Sequence, residues 1–385
     1  MGPKKRQKKT KTMLEKVKYI LGILAVGGAL AGCAKVSSDV PEAAPVPVSF
    51  STYGQRPTGT KADSTYVAPG ADFAAGSVIS VYGFYHDDST WAADSTAGAN
   101  TPDFMYAQAV TKQNDGSWTY SPLKYWPNEH GANAVSDAID RLSFWAYYPR
   151  NASGLTLYKA GTTTAYDNDT NGIPKAVFTQ AEDPANQTDL MFAVPQKDLY
   201  KNDAGGHGAV TDGEVNFIFK HALALVEFQL TEGTGAKLNT LSLTHIKKTG
   251  TLENPSRIPF VWSGVGTEYN ISQSDLDVHE ATLLRLLVIP QDINSDATFT
   301  LNYDITFASS DPSHPDPIVY TGDSFSVKLF KNTGPVAEQY GVTAWEAGKH
   351  YIYKITAGLD RIEFEEIVEA GDDWTVANNN ISVPE

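Results

Sequence analysis

Apolar and polar residues alternate with a period of two along most of this chain. Phe299, Leu301, Tyr303, Ile305 and Phe307 are interleaved with Thr300, Asn302, Asp304 and Thr306. That spacing predicts a strand with one buried and one wetted face. Val48 and Phe50 alternate with Ser49 and Ser51. Leu142, Phe144, Ala146 and Tyr148 share a face, as do Val215, Phe217 and Phe219, and Ala224, Val226, Phe228 and Leu230. Further runs predict strands over 77–85, 239–245, 283–289, 323–329 and 350–356. Turn-forming clusters separate them: Asp87-Asp88-Ser89, Asn114-Asp115-Gly116, Asn202 to Gly208 and Ser309 to Pro317. No long helical period with caps occurs. The pattern predicts an all-β protein built as sandwiches rather than as one closed barrel.

The Gly/Asp/Asn-rich stretch 201–213 is the expected domain boundary. It predicts an N-terminal sandwich over 48–208 and a C-terminal one over 209–385, each long enough for its own core. No internal repeat of fixed period is visible.

Charge changes the reading of the N-terminus. Residues 1–19 carry eight basic side chains and one acid, Glu15. An apolar run from Tyr19 to Leu30 follows and leads into Leu30-Ala31-Gly32-Cys33. It is too short to span a bilayer, and the whole reads as a secretory signal over 1–32. Cys33, the single cysteine of the chain, stands where a bacterial lipobox places its acylated residue; an incidental cysteine behind a signal cut elsewhere is the alternative. Met13 is a second possible start. Residues 33–47, small and proline-rich, read as a flexible tether. The net charge is −15 overall. From Cys33 onward 22 basic residues face 44 acidic ones, a balance of −22. Such a body repels phosphate backbones, so no nucleic-acid partner is expected.

Candidate chemistry is sparse. The histidines fall in none of the zinc-hydrolase spacings, and no GxSxG or P-loop pattern occurs, so neither an enzyme nor a cofactor is expected. His221, between two apolar runs, reads as a structural histidine. Glu365-Glu366 and Asp372-Asp373 are adjacent in sequence and would face opposite sides of a strand. Asp167, Asp169 and Asn171, in DNDTNG, match the first half of a calcium loop, but Phe178 stands where the bidentate glutamate belongs. A plain Asx-rich loop is the expectation. Aromatic clusters such as Tyr125-Trp126 and Trp145 to Tyr148 could stack sugars, although strand cores use the same residues.

A series of segments resembles the fimbrillin family of Bacteroidetes, the FimA/Mfa-like pilin lipoproteins. They are, in order, the lipobox Leu30–Cys33, VSFSTYG (48–54), TKADS (60–64), GSVISVYGFY (76–85), YWP (125–127), LSFWAYYP (142–149), QTDLMFA (187–193), FKHALALVEFQL (219–230), LLVIPQ (286–291), WEAGKHYIYKI (345–355) and IEFEEIVEAGDDW (362–374). The resemblance implies two transthyretin-like, Greek-key β-sandwich domains in tandem. It also implies export as a lipoprotein to the outer membrane and cell surface, cleavage in the loop after the first strand, and filling of the vacated groove by a strand of another subunit. The leaving strand would run from about Val46 to Tyr53, with Val48 and Phe50 on its buried face. Cleavage would follow Lys61, where the family commonly has arginine, or Arg56, which Pro57 disfavours. The donor would come from Ile362 to Val383, with Ile362 and Phe364 or Ile381 and Val383 as its apolar positions. Partners would be other pilin subunits, the membrane through lipid, and host or bacterial surface ligands. Shaft, tip and anchor roles stay open, as does a non-polymerising lipid-anchored surface protein that binds glycans or host ligands. Asp63-Ser64-Thr65, Asp88-Ser89-Thr90 and Asp94-Ser95-Thr96 resemble the short O-glycosylation acceptor of this bacterial group.

Overall fold

A computed structural model describes residues 45–52, 72–127, 140–201, 209–210, 213–231, 236–274, 282–307, 318–329, 342–357 and 362–369, with the single residues 313 and 316. The strands, in chain order, are β1 (Ser49–Thr52), β2 (Val78–His86), β3 (Met105–Lys112), β4 (Trp118–Thr119), β5 (Arg141–Tyr148), β6 (Leu155–Tyr158), β7 (Lys175–Thr179), β8 (Met191–Ala193), β9 (Gln196–Lys201), β10 (Ala209–Val210) and β11 (Glu214–Phe217). Then follow β12 (Phe219–His221), β13 (Ala224–Thr231), β14 (Ala236–Leu252), β15 (Ser263–Ser274), β16 (Thr282–Val288), β17 (Gln291–Asp292), β18 (Thr298–Phe307), β19 (Ile318–Lys328), β20 (Ala344–Trp345), β21 (His350–Ala357) and β22 (Ile362–Glu369). Strands formed where the sequence alternates. In β11 the burial runs exposed, buried, exposed, buried from Glu214 to Phe217. Both Val215 and Phe217 therefore face the core, as the period-two pattern requires.

One short α-helix, α1 (Trp91–Ala97), interrupts the strands. The Thr90 hydroxyl caps its N-terminus by accepting from the Ala93 amide, and Gly98 closes it in the left-handed conformation. It buries none of its residues, so it carries no apolar stripe and no helical period for a sequence reading to find.

Three larger sheets organise the described residues, one mainly in the N-terminal half and two mainly in the C-terminal half. One runs β10-β9-β5-β2-β3-β4, with β8 on β5 and β12 on β8. The other half has a four-stranded sheet β16-β13-β21-β22 opposite a sheet β19-β18-β14-β7-β6, with β15 along β14. Their inner faces make separate cores. The first is built from residues between Val48 and Phe219, among them Val81, Phe144 and Phe217. The second is built from residues between Ala224 and Ile355, where Phe228 stacks on Phe299 at 4.6 Å and on Tyr353 at 5.1 Å. A third cluster, with Trp145, Phe178, Phe192, Leu225 and Leu287, draws on both halves and welds them.

The expected boundary at 208/209 falls inside the first half. β10 pairs with β9, β11 with β1 and β12 with β8, so three strands beyond 209 belong to the N-terminal sheets. β6 and β7 cross the other way, because β7 pairs with β14. The polar stretch 201–213 reads as a linker by composition, yet the groove around β1 needs Gly213 to Phe217 as a wall. The cores change over between Phe219 and Ala224.

Candidate functional site

The segment 46–52 is bonded along both edges. On one side the Trp126 amide donates to the Val46 carbonyl at 3.0 Å, and the Val48 amide donates to the Lys124 carbonyl at 2.8 Å. The Tyr120 hydroxyl adds a bond to the Val48 carbonyl at 2.7 Å. On the other side the Ser49 amide donates to the Gly213 carbonyl at 3.0 Å, and β1 then runs parallel to β11 with Phe50 opposite Val215 and Thr52 opposite Phe217. This parallel partner lies more than 160 residues away in sequence.

The alternation seen in the sequence decides what this strand buries. Val48 is 1% exposed and Phe50 5%. The Phe50 ring stacks on Phe217 at 5.6 Å and meets Phe144 edge-on at 5.7 Å and Tyr120 at 5.5 Å. Burying a valine and a phenylalanine side chain contributes about 1.5–3 kcal/mol each, and each aromatic pair adds about 0.5–1.5 kcal/mol. Gly213 makes the close approach possible. Its φ is +73°, and a Cβ there would lie 2.7 Å from Trp126 Nε1 and 2.8 Å from the Pro47 carbonyl oxygen. Trp126 Nε1–H in turn donates to the Gly213 carbonyl at 2.9 Å.

Thr52 ends the strand beside Asp72, to which its hydroxyl donates at 3.4 Å. Asp72 is fixed from below by Lys112 Nζ at 2.8 Å, and Phe73 packs at 4.9 Å from Tyr148 and 5.2 Å from Phe219. Thr52 and Asp72 thus stand together at the edge of the first core, with Phe73 inside it. Arg56 and Lys61 belong to 53–71 and lie outside the described residues, as do Cys33, Ile381 and Val383. Ile362 and Phe364 fall on β22, where their backbones pair with Ala357 and Ile355. Among the described residues β22 pairs on this side only.

The remaining candidates are structural by their contacts. The Asp167 carboxylate accepts from Thr170 Oγ1 at 2.5 Å and pairs with Lys159 at 2.8 Å, and the two hold its carboxyl below the usual range. The Asn171 side-chain oxygen accepts the Asn100 amide at 3.0 Å. These oxygens are turned to the protein rather than toward a common ion. His221 pairs with Asp189 at 2.9 Å, both buried. Ser89 and Ser95 hydroxyls are bonded to Asp94 and Asn100 around α1, and Asp63-Ser64-Thr65 lies outside the described residues.

Sequence reading missed one constellation. His86 Nδ1 lies 2.6 Å from Asp94 Oδ2, and His86 Nε2 lies 2.8 Å from Ser143 Oγ. The order serine–histidine–aspartate matches a hydrolytic triad. Ser143 is 0% exposed, and its oxygen already accepts the Asp198 amide at 2.9 Å. No substrate carbonyl reaches it. The chain of bonds fastens α1 and β9 to β2 and β5.

A sequence model of the fimbrillin-like family matches residues 60–369. The chain belongs to the fimbrillin-like family. The fimbrillin fold is shared with a fimbrial protein from Bacteroides vulgatus, at a TM-score of 0.52 and 19% identity over 86% of this chain and 100% of that one. The tip fimbrial protein Mfa3 from Porphyromonas gingivalis, truncated at its C-terminus, aligns over 76% of this chain and 94% of its own, at 14% identity and a TM-score of 0.35. No curated protein matches the sequence. Among the described residues of this fimbrillin, no helix is long and apolar enough to cross a membrane.

Proposed function

We propose that this fimbrillin is a cell-surface fimbrial subunit, exported as a lipoprotein acylated at Cys33 and assembled by replacement of its first strand. Family membership supports a structural, non-enzymatic fimbrial role in association with other fimbrial subunits. The observation that carries the finer reading is the way 46–52 is held. It is a short segment bonded on both edges, with Val48 and Phe50 filling an aromatic groove. Its removal would leave unpaired backbone groups and apolar surface together, which is the arrangement a new strand completes. Cleavage after Lys61, or after Arg56, would cut its covalent link to the body. Its replacement would come from Ile362–Phe364 or from Ile381–Val383 of a neighbouring subunit.

The N-terminus of the protein recovered from native cell surfaces tests this by mass spectrometry. A mature chain beginning at Ala62 is the expected result. A population beginning only at acylated Cys33 would instead assign the protein as an anchor or as a non-polymerising surface binder.

A further inference from the structure

The groove around 46–52 is bounded at both ends. At one end Trp126 Nε1–H is bonded across it to the Gly213 carbonyl, and a Cβ on Gly213 would lie 2.8 Å from Val46 Cγ1. At the other end Asp72, held by Lys112, stands 3.4 Å from the Thr52 hydroxyl. A strand seated between these ends has little room to slide, so its side chains meet fixed surroundings at positions 48, 50 and 52.

Those surroundings differ. Val48 fills a buried aliphatic place. The place of Phe50 is lined by the rings of Phe217, Phe144 and Tyr120, all within 5.7 Å, and a smaller side chain would leave a void among them. Position 52 is polar in its demand. Trp118 is 6% exposed, and its Nε1–H donates to Thr52 Oγ1 at 3.3 Å. Without an acceptor there, a nearly buried donor would lose its partner. The backbone adds a further demand. The Ser49 amide donates to the Gly213 carbonyl. Donors toward one neighbour recur every second residue in a parallel ladder, so position 51 must also bring an N–H toward β11.

We infer, resting on the strand replacement proposed above, that the groove selects Ile362–Glu366 of a second copy. Ile362 takes the place of Val48, Phe364 that of Phe50 and Glu366 that of Thr52, with the strand parallel to β11. Phe364 is the only phenylalanine within 362–385, and it follows Ile362 by two residues as Phe50 follows Val48. The rival Ile381–Glu385 puts Val383 among the three rings, and Pro384, which has no N–H, in the place of Ser51. Glu366 offers Trp118 a carboxylate oxygen. Lys112 Nζ, 5.3 Å from the centre of the Trp118 ring, offsets the repulsion of that carboxylate by Asp72. Among the described residues β22 has a partner strand on one side only, whereas the groove bonds 46–52 to Lys124 and Trp126 on one side and to β11 on the other. The transfer therefore gives up one ladder and gains bonds along two edges.

Cysteine cross-linking of full chains in native host cells tests this. Ser51 lies opposite Asn216 in the register of β1 on β11. Its place is taken by Glu365 under this assignment and by Pro384 under the rival one. One chain carries Asn216→Cys, and a second, produced beside it, carries Glu365→Cys or Pro384→Cys, so a disulfide between these positions joins two subunits. Directly opposed strand residues are close enough for that bond, and Asn216 is exposed, away from the core. The 216–365 link should exceed the 216–384 link about tenfold, by mass spectrometry of the joined peptides. Adding Phe364→Val to the Glu365→Cys chain should lower its yield about tenfold. Trp118→Phe in the other chain should lower it about fivefold with Glu366 present and have no effect on a Glu366→Leu donor, a pattern that general misfolding would not give. Equal links, or a link through 384 alone, overturns the choice of donor and leaves strand replacement standing. So does the lack of either link in chains that begin at Ala62. The lack of either link in chains that keep Cys33 overturns the inference together with the reading it rests on.

Discussion

The segment 46–52 is bonded to Lys124 and Trp126 along one edge through Val46 and Val48 and to β11 along the other through the four residues of β1, while β22 is eight residues long and pairs with β21 alone among the described residues. The short strand would be marginal on backbone bonds, because net hydrogen bonds contribute only about 0.5–1.5 kcal/mol each. Its hold comes from Val48 and Phe50 in a groove that the rest of the first core has already shaped. The long strand has a continuous antiparallel ladder on one side and, among the described residues, no partner strand on the other. The difference teaches that one end of the fold relies on a few side chains buried in a groove and the other on a long ladder of backbone bonds.

The comparison can be broken most sharply at Phe50. Phe50→Ala should cost about 3–5 kcal/mol in chemical denaturation; a loss below about 1 kcal/mol would mean that the ladder, not the groove, holds β1. Gly213→Ala comes next, at about 1–3 kcal/mol, because it adds a Cβ at positive φ against Trp126 and the Pro47 carbonyl. It should also speed proteolysis within 45–52, while leaving amide exchange in β21 unchanged. Tyr120→Phe removes only the hydroxyl bonded to the Val48 carbonyl and should cost about 1 kcal/mol. The smallest effect sharpens the comparison as a control remote from both strands. The Asp167 carboxyl is held low by Lys159 and then Thr170. Its contribution is therefore present above the ordinary carboxylate pKa and lost as pH falls through the lower folded value. Asp167→Asn and the parent should converge in stability at acid pH, with β1 protection the same in both.

Much of the architecture was readable because it is local. Period-two runs marked β5, β11, β13 and β18, and the short apolar run Val48–Phe50 marked the side chains that fill the groove. What lies around them was not readable. The parallel pairing of β1 with β11 depends on a contact across the whole first half, which no local period encodes. β3 and β15 escaped because their alternation is broken, with Ala107 at φ +47° and Thr267 at φ +52°. The stretch 201–213 has a linker's composition and ends in the glycine that hugs the first strand. The His86–Asp94–Ser143 chain joins residues from α1 and two strands, so only the fold brings them together. The family was readable from the order of many weak segments rather than from any single motif.

Thr52 and Asp72 touch, although nineteen residues (53–71) separate them in the chain. That contact makes the connecting segment a tether whose ends meet. In the proposed exchange, the intact segment would present the first strand to its own groove at an effective concentration of the order of millimolar, and a strand from another molecule would compete against that value. A single cut within 53–71 would, in that exchange, leave the contacts described for 46–52 in place and remove only the covalent link. Competition would then be set by the bulk concentration of each strand. Proteolysis would thus act as a change in local concentration, and the time of exchange would follow the supply of incoming strands.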